Sequence, residues 1–412
     1  MKALPNVFTV HMGCDPELFL SKEVGRVRKR QSILGSELVI PEQGLGLIGS
    51  QVVRDGVQIE LHPWFSHCRA NLSNQIQICF RTLRDGLVKH PGTKVDFRQV
   101  VTLTPGELNK LTPRARELGC MPSNNIYGRP HIQKDGTKFR ERSAAGHIHL
   151  SAVGAELRAK PLVALLDMFV GNTMVLVDRD PLAAQRRKTY GRAGEYRTKS
   201  ASHIEYRTLS NFWLHNYKLM SLAFGLAKVA LLIHLTDKAV PAWLDSHPSR
   251  KAQTKWYNDT YWMNAQKEIL SSVKLKNFEL AINNNDFDLA MENYKTVVRP
   301  ILANLQTEYG ISSGTVGRFD AFVAKIREAE LAGKTKNREY LRVWFPDDPM
   351  QHWLTKPEGH ATGWENWLIS NVPNIPTTVK AVMTIPVVEK TVAPTGQPYF
   401  IDGTPIYKQD VV

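Results

Sequence analysis

Alternation of apolar and charged residues in four short segments constrains the fold of this chain most strongly. The segments read GCDPELFL (13–20), RDGVQIELHP (54–63), AGHIHLS (145–151) and SHIEYRTLS (202–210). Because successive side chains of a β-strand point to opposite faces, each segment is expected to bury one face and present polar groups on the other. The pattern predicts an antiparallel sheet with one packed and one polar face.

The polar faces of these predicted strands carry acids, imidazoles and an arginine. They present Asp15, Glu17, Gln58, Glu60, His147, His149, Ser151, His203, Glu205 and Arg207. The apolar faces present Cys14, Leu18, Leu20, Val57, Ile59, Leu61, Ile148, Leu150, Ile204 and Tyr206. Pro16 lacks an amide N–H and favours an edge or first strand. Asp55-Gly56 predicts a turn at the start of the second segment.

If the four polar faces meet in one cavity, their acids repel one another by roughly 4 kcal/mol per close pair at an effective dielectric of 20. A cation must then lie among Asp15, Glu17, Glu60 and Glu205. Carboxylates with an imidazole and no nearby cysteine suit Mg²⁺ or Mn²⁺ better than structural zinc. A buried salt-bridge network without metal is the alternative, and a solvated sheet face is the simplest interpretation of any one strand.

An arginine-rich segment, RRKTYGRAGEYR (186–197), precedes the Glu205 strand. Arginine binds phosphate oxygens in bidentate fashion, and Gly191 and Gly194 would let the backbone approach a ligand. Acids that hold metal, followed by arginines that hold phosphate, are typical of a nucleotide site. The arginine segment alone fits a surface or nucleic-acid patch equally well.

Composition limits the environment of the chain. A net charge of +14 attracts anions of any class, and it does not choose among nucleotides, acidic substrates and nucleic acid. The N-terminus lacks the apolar stretch of a signal peptide, and the longest apolar run, 219–235, is interrupted by Lys228 and His234. We interpret that run as a buried helix. The four cysteines show neither zinc spacing nor disulfide density, which favours a reduced, cytoplasmic protein.

Patterns along the chain predict three regions. Residues 1–240 alternate short strands with helices over 71–89 and 160–176, which indicates an α+β domain. Residues 241–345 show helical periodicity at 278–305 and 319–333 and predict a helical appendage. Residues 346–412 become rich in proline, although PYFIDGTPIY (398–407) predicts a small hairpin.

Five motifs in this order resemble the glutamine synthetase and γ-glutamylcysteine ligase superfamily: DPE, IELHP, HIHLS, RRKTYGRAGEYR and IEYR. The sequences GCDPELFL, AGHIHLS and IEYRTLSNFWL most resemble those of a phage-encoded branch of COOH–NH2 ligases, or amidoligases. The resemblance covers roughly residues 8–235. It implies a curved antiparallel sheet that forms a half-barrel, with helices on its outer face and with ATP and divalent cations in its concave face.

The resemblance also implies roles for individual residues. The implied metal ligands are Asp15, Glu17, Glu60, His147 and Glu205, with Asp15 in place of the family's more usual glutamate. His149 would lie near the nucleotide or substrate, and Arg207 would lie near the transferred phosphate as a catalytic residue. Arg187 and Arg192 would help hold the ATP phosphates, Arg192 also acting in catalysis.

The implied reaction joins a carboxylate to an amine. ATP phosphorylates the carboxylate, and the amine attacks the acyl phosphate to give an amide, ADP and phosphate. The partners would be a small-molecule or peptide carboxylate and an amine acceptor, in the host cytoplasm if the protein is phage-encoded and with no role for a membrane. Ring-shaped or dimeric assemblies occur among relatives, so a homo-oligomer is compatible with the resemblance.

Two other functions fit parts of the sequence. A basic nucleic-acid-binding or packaging protein would use the net charge of +14 and the arginine segment. Against it, the four acids of the polar faces would have to stay off the binding surface. A metal hydrolase would use His147 and His149, for which the spacing of two histidines is the sole support.

Overall fold

The computed structural model describes residues 6–357, 399–401 and 404–406. Gaps within the first range fall at 26–29, 48, 68, 117, 119–122, 131, 133, 134, 137, 179, 181, 236–238, 242–265, 268 and 303–345. The chain divides into two compact units, Met1–Asn371 and Val372–Val412. The polar faces predicted from the sequence all belong to the first unit.

Strands of the first unit form antiparallel sheets that curl into a half-barrel. They are β1 (Asn6–Cys14), β2 (Glu17–Val24), β3 (Arg30–Leu34), β4 (Ser50–Asp55), β5 (Gln58–Pro63), β6 (Thr93–Asp96), β7 (Val100–Thr102), β8 (Asn124–Asn125), β9 (Glu141–Ser143), β10 (Ile148–Val153), β11 (Glu195–Ser200), β12 (His203–Tyr206) and β13 (Ala239–Pro241). Within the described residues, one sheet has the order β13-β1-β10-β12-β11-β8 and another the order β3-β2-β5-β4, with β6 on β2. β7 pairs with β9, and β1 with β13 is a parallel pair.

Helices pack beside these sheets and build the core. They are α1 (Arg69–Leu87), α2 (Pro105–Lys110), α3 (Pro113–Arg116), α4 (Ala159–Leu166), α5 (Asn172–Val175), α6 (Ala183–Arg187), α7 (Tyr217–Leu235), α8 (Leu275–Asn283), α9 (Phe287–Asn293) and α10 (Pro349–Leu354). A π-helical turn, Asp167–Gly171, joins α4 to α5. The predicted helices over 71–89 and 160–176 are thereby confirmed, and the fold class is a mixture of helix and strand as predicted.

Alternation along the strands matches the predicted core faces. Ile59, Leu61, Ile148, Leu150 and Ile204 have no exposed surface and join one hydrophobic cluster. Their sequence neighbours on the opposite face are the acids and imidazoles. Because a shift of one residue would exchange the two faces, burial of this apolar set fixes which side chains point away from the core.

Pro16 lies where the chain passes from one sheet to the other. GCDPELFL is predicted as one strand, but β1 ends at Cys14 and β2 begins at Glu17. Pro16 does not mark an edge strand, since β1 and β2 both have neighbours on each side. It lies between ladders, where its missing N–H costs no strand hydrogen bond. Its carbonyl accepts the Leu61 N–H, and Glu17 N–H donates to Ala145 O, so the two sheets are joined there.

The long apolar run forms α7. By length and composition this helix could cross a membrane, but 76% of its apolar stretch is buried inside the protein. Leu219, Phe224 and Leu231 have no exposed surface and contribute to the main core cluster. Burial in the protein core therefore accounts for the apolar character of α7, as predicted.

Predictions for the C-terminal part have mixed outcomes. α8 and α9 confirm helix within 278–305, whereas the predicted helix over 319–333 lies outside the described residues. In the second unit, β14 (Tyr399–Ile401) and β15 (Thr404–Ile406) form the predicted antiparallel hairpin. Division of the chain at residues 240 and 345 stays a prediction.

Candidate active site

Asp15, His147 and Glu205 converge on the polar face of the sheet. One ligating atom from each lies within 4.8 Å of the others. His147 Nδ1 is 3.1 Å from Asp15 Oδ1 and 3.4 Å from Glu205 Oε1. The ladders explain the convergence, because Cys14 pairs with Ile148 and Ile148 pairs with Tyr206, which aligns the residues next to them.

Both oxygens of the Asp15 carboxylate face imidazoles. Oδ2 lies 3.0 Å from His149 Nε2, and His149 Nδ1 lies 3.0 Å from His203 Nε2. Burial alone would raise the pKa of Asp15, but attraction to His149 and His147 outweighs it and holds that pKa well below its usual range. For His147, burial and the Arg207 charge lower the pKa. The geometry thus presents an ionised aspartate to a neutral His147.

Glu205 is a fully buried carboxylate surrounded by cations. Arg207 Nη1 lies 2.5 Å from Oε1, while Lys199 Nζ and Arg197 Nη1 lie 3.3 and 3.7 Å from Oε2. Burial would raise the pKa of Glu205, but attraction to His147 and Arg207 lowers it to about 2. Glu205 is therefore ionised throughout the physiological range.

Glu17 and Glu60 form a second acidic group next to this cluster. They are direct cross-strand partners in β2 and β5. Glu17 Oε2 accepts the Ala145 N–H at 2.8 Å, and Glu60 Oε1 lies 2.9 Å from His62 Nε2. Burial raises the pKa of both carboxyls well above the usual range, and repulsion from Asp55 adds to it in each case. These surroundings favour the protonated forms of the two carboxyls.

Tyr190 links the imidazole to the arginine. Its hydroxyl lies 2.7 Å from His147 Nε2 and 2.8 Å from Arg207 Nη2. The guanidinium carbons of Arg186 and Arg207 lie 5.1 and 5.4 Å from the centre of its ring. Gly191 has a φ of +69°, and a Cβ there would come 2.1 Å from Arg186 Nη1. In this structure the space that Gly191 leaves open is taken by the Arg186 side chain.

Arg187 and Arg192 are engaged by other groups. Among the described residues, Arg187 donates to Asn285 Oδ1 at 2.7 Å, and Arg192 donates to Glu195 Oε1 at 2.8 Å. Burial lowers the pKa of Arg187 to about 10. Within the part of the chain that the structure describes, Arg207 contacts the acidic cluster and these two arginines do not. Their role in binding phosphate stays a prediction.

The donor set fits a divalent cation. Among the described residues, Glu205 Oε2 is buried and makes no hydrogen bond, although the Lys199 ammonium lies 3.3 Å away. Asp15 keeps about a fifth of its side chain exposed, so the cluster can be reached from solvent. Oxygen-rich ligands with one imidazole suit Mg²⁺ or Mn²⁺. The assignment of Asp15, Glu17, Glu60, His147 and Glu205 as ligands stays a prediction.

Sequence reasoning missed three residues of the site. Lys199 shares a strand face with Arg197, so the alternation rule applied to 195–200 could have identified it. The sequence marked Asp55 only as a turn residue. Its proximity to Glu17 follows from the pairing of β5 with both β2 and β4. Tyr190 stands outside any strand, and no periodic signal points to it.

Part of the chain matches a known protein family. A family model described as Phage phiEco32-like COOH.NH2 ligase-type 2 matches residues 131–294. This segment contains His147, Tyr190, Glu205 and Arg207, and it extends beyond residue 235 into α8 and α9. The resemblance to phage-type COOH–NH2 ligases is thus confirmed over that segment. No curated protein has significant sequence similarity to the chain.

Proposed function

We propose that this protein is a carboxylate–amine ligase that consumes ATP, requires Mg²⁺ or Mn²⁺ and forms its amide through an acyl phosphate. The convergence of Asp15, His147 and Glu205 beside Arg207 supports the proposal most directly. The latter three of these residues lie within the segment that matches a COOH–NH2 ligase family. A glutamine-synthetase-like fold, for which the curled antiparallel half-barrel is the support, is part of the proposal.

The reaction explains why these residue types are needed. A substrate carboxylate must approach the γ-phosphate of ATP, which brings two anions together and builds further charge in the transition state. A divalent cation bound by Asp15, His147 and Glu205 would neutralise phosphate charge. Arg207 is buried and held between Glu205 and Tyr190, so its guanidinium is fixed before substrate arrives.

Glu17 and Glu60 extend the acidic group around this cluster. Because burial and repulsion from neighbouring acids favour their protonated forms, they can bind a cation only as they lose protons. Lys199 and Arg197 stand at the other side of Glu205 and are partly exposed. They offer positive charge to an anionic substrate, in agreement with the net charge of +14. The substrate carboxylate and the amine remain to be identified by screening.

The test is a screen for phosphate release by the full-length protein with ATP, Mg²⁺ and panels of carboxylates and amines. We expect activity that requires the metal and falls on the order of 10³-fold in Glu205→Gln and His147→Ala. Glu156→Gln, on an exposed residue after β10, is the matched control and should keep wild-type activity. Thermal unfolding establishes that the variants fold.

Two results would contradict the proposal. Full activity in both Glu205→Gln and His147→Ala would remove the site from the reaction. Salt-dependent binding of generic DNA with no ATP turnover would instead favour the nucleic-acid alternative, since counterion release makes such binding fall steeply with salt.

A further inference from the structure

Tyr190 occupies a position between two candidate site residues that the proposed reaction leaves unexplained. It is mostly buried, and its hydroxyl lies within hydrogen-bond distance of His147 Nε2 and Arg207 Nη2. The guanidinium groups of Arg186 and Arg207 flank its ring. The phenol is thus held firmly against the nitrogen of His147 that faces away from the acids.

The chemistry of the partners limits the direction of these hydrogen bonds. A guanidinium can only donate, so the Tyr190 oxygen accepts from Arg207. A hydroxyl keeps one proton and a second lone pair, so toward His147 it can either donate or accept. Tyr190 can therefore bond His147 in both neutral tautomers of the imidazole.

The surroundings of the other imidazole nitrogen, Nδ1, require one tautomer without a cation and the other tautomer with one. His147 Nδ1 faces Asp15 Oδ1 at 3.1 Å and Glu205 Oε1 at 3.4 Å. Without a cation, Nδ1 must carry the proton, because its lone pair would otherwise face two carboxylate oxygens. With a cation shared by the three groups, Nδ1 must present its lone pair, and the proton must reside on Nε2.

We infer that Tyr190 is the positioning residue that allows His147 to change from hydrogen-bond donor to metal ligand. Its hydroxyl donates to Nε2 when no cation is bound and accepts from Nε2–H when one is bound. The Nδ1 proton passes to solvent and Nε2 takes one proton up from solvent while Tyr190 keeps its own, so the imidazole stays neutral and the count of protons is unchanged. The inference rests on the proposed function in requiring that the cluster binds Mg²⁺ or Mn²⁺.

A phenylalanine at position 190 separates the contribution of the hydroxyl from that of the aromatic ring. Tyr190→Phe keeps the aromatic contacts with Arg186 and Arg207 and removes the group that can bond either tautomer. The Nε2–H form of His147 would then lose its acceptor in a buried place, so the metal-binding tautomer would become less favourable. Partners that orient a ligating histidine typically contribute about 10–100-fold to metal affinity.

The experiment measures Mg²⁺ and Mn²⁺ binding by calorimetry on the full-length protein, and it locates the His147 proton by ¹⁵N NMR of histidine-labelled protein. We expect the proton on Nδ1 in the presence of chelator and on Nε2 with saturating Mg²⁺. We expect Tyr190→Phe to weaken binding about 10–100-fold. Wild-type affinity in this variant, or a proton that stays on one nitrogen, would overturn the inference.

Tyr206→Phe is the matched control, since it removes a buried hydroxyl from the opposite face of β12. That hydroxyl donates to Asp167 Oδ1 at 2.7 Å, away from the acidic cluster. We expect this variant to lose stability but to keep wild-type metal affinity. Equal weakening in both variants would overturn the positioning role. The NMR experiment on wild-type protein decides the matter even if Tyr190→Phe does not fold.

The outcomes separate this inference from the proposed function. If wild-type protein binds Mg²⁺ and Tyr190→Phe binds it equally well, the positioning role is wrong while the ligase proposal stands. If wild-type protein binds neither Mg²⁺ nor Mn²⁺, the metal requirement of the proposed function is wrong, and the inference is overturned with it.

Discussion

Glu205 and Asp167 are two fully buried carboxylates whose surroundings give them opposite charge states. Glu205 lies on the polar face of β12, and its pKa is lowered to about 2. Asp167 lies on the helical side, where Tyr206 of the same strand donates to it, and its pKa is raised to about 7. Burial raises the pKa of both groups. The difference comes from the groups that face them.

Cations surround one carboxylate and neutral hydroxyls approach the other. Arg207, Lys199 and Arg197 lie within 3.7 Å of Glu205. The hydrogen bond from Tyr206 lowers the pKa of Asp167, but it does not offset the burial of that carboxyl. One strand therefore separates a face that stabilises charge from a face that excludes it. This division is what a site for ionised substrates requires.

The largest expected effect comes from making the surroundings of Glu205 resemble those of Asp167. Arg207→Leu removes the nearest cation and leaves a buried carboxylate short of its main partner. We expect the free energy of unfolding at pH 7 to fall by about 3–5 kcal/mol. Because the variant raises the pKa of Glu205, the loss should shrink as pH falls toward 4, where the carboxyl can take up a proton. Urea unfolding at both pH values measures this.

Arg207→Lys keeps the charge and should lose less stability than Arg207→Leu. An equal loss in Arg207→Leu at pH 4 and pH 7 would mean that lost packing, and not the unpaired carboxylate, dominates. In that case the contrast between the two faces of β12 would not depend on Arg207.

A smaller effect is expected from Asp167→Asn. The pKa of Asp167 is higher in the folded than in the unfolded chain, so folding takes up a proton. Its contribution to stability is complete below about pH 4 and is lost as pH rises to about 7. We expect wild-type protein to lose about 2–4 kcal/mol from this group over that range and Asp167→Asn to lack that loss.

Asp288→Asn, on an exposed residue of α9, corrects for removal of a negative charge. Unfolding of the three proteins in urea at intervals between pH 4 and 8 measures the slopes. Identical slopes for wild type and Asp167→Asn would show that Asp167 is ionised in the folded protein, and the comparison with Glu205 would then fail.

The smallest effect is expected from Lys199→Ala. Its ammonium lies 3.3 Å from Glu205 Oε2, but about a third of its side chain is exposed, so solvent screens the pair. We expect a loss of less than about 1 kcal/mol in low salt, and less in 1 M NaCl. Lys188→Ala, on an exposed residue after α6, is the control. A loss comparable with that in Arg207→Leu would assign the main stabilisation of Glu205 to Lys199.

Local rules predicted much of the fold and part of the site. Alternation in AGHIHLS and SHIEYRTLS identified the faces of β10 and β12, because burial of Ile148 and Ile204 fixes both. It also selected Asp15, His147 and Glu205, which the structure brings together. These predictions succeeded because side chains alternate along a strand with a period of two residues, and a single sequence displays that alternation directly.

The features that could not be predicted depend on contacts between residues that are far apart in the sequence. Arg187 pairs with Asn285, nearly a hundred residues later, and no pattern in the arginine segment reveals that partner. The break at Pro16 depends on a second sheet being available to receive β2. Tyr190 acquires its position from His147 and Arg207 together. Such partners are fixed by packing of the whole unit and not by local spacing.

Two residues, Asp15 and Pro16, separate β1 from β2, and this sets a strict limit on chain length at the centre of the protein. An insertion or deletion of one residue there would invert the facing of every side chain in one of the two strands, and Glu17 would turn toward the core. The Asp55-Gly56 turn, by contrast, closes the β4–β5 hairpin, where Asp55 still pairs with Gln58, and a longer loop there would not change the facing of either strand. Homologous chains should therefore vary in length at that turn and stay constant between the two acids.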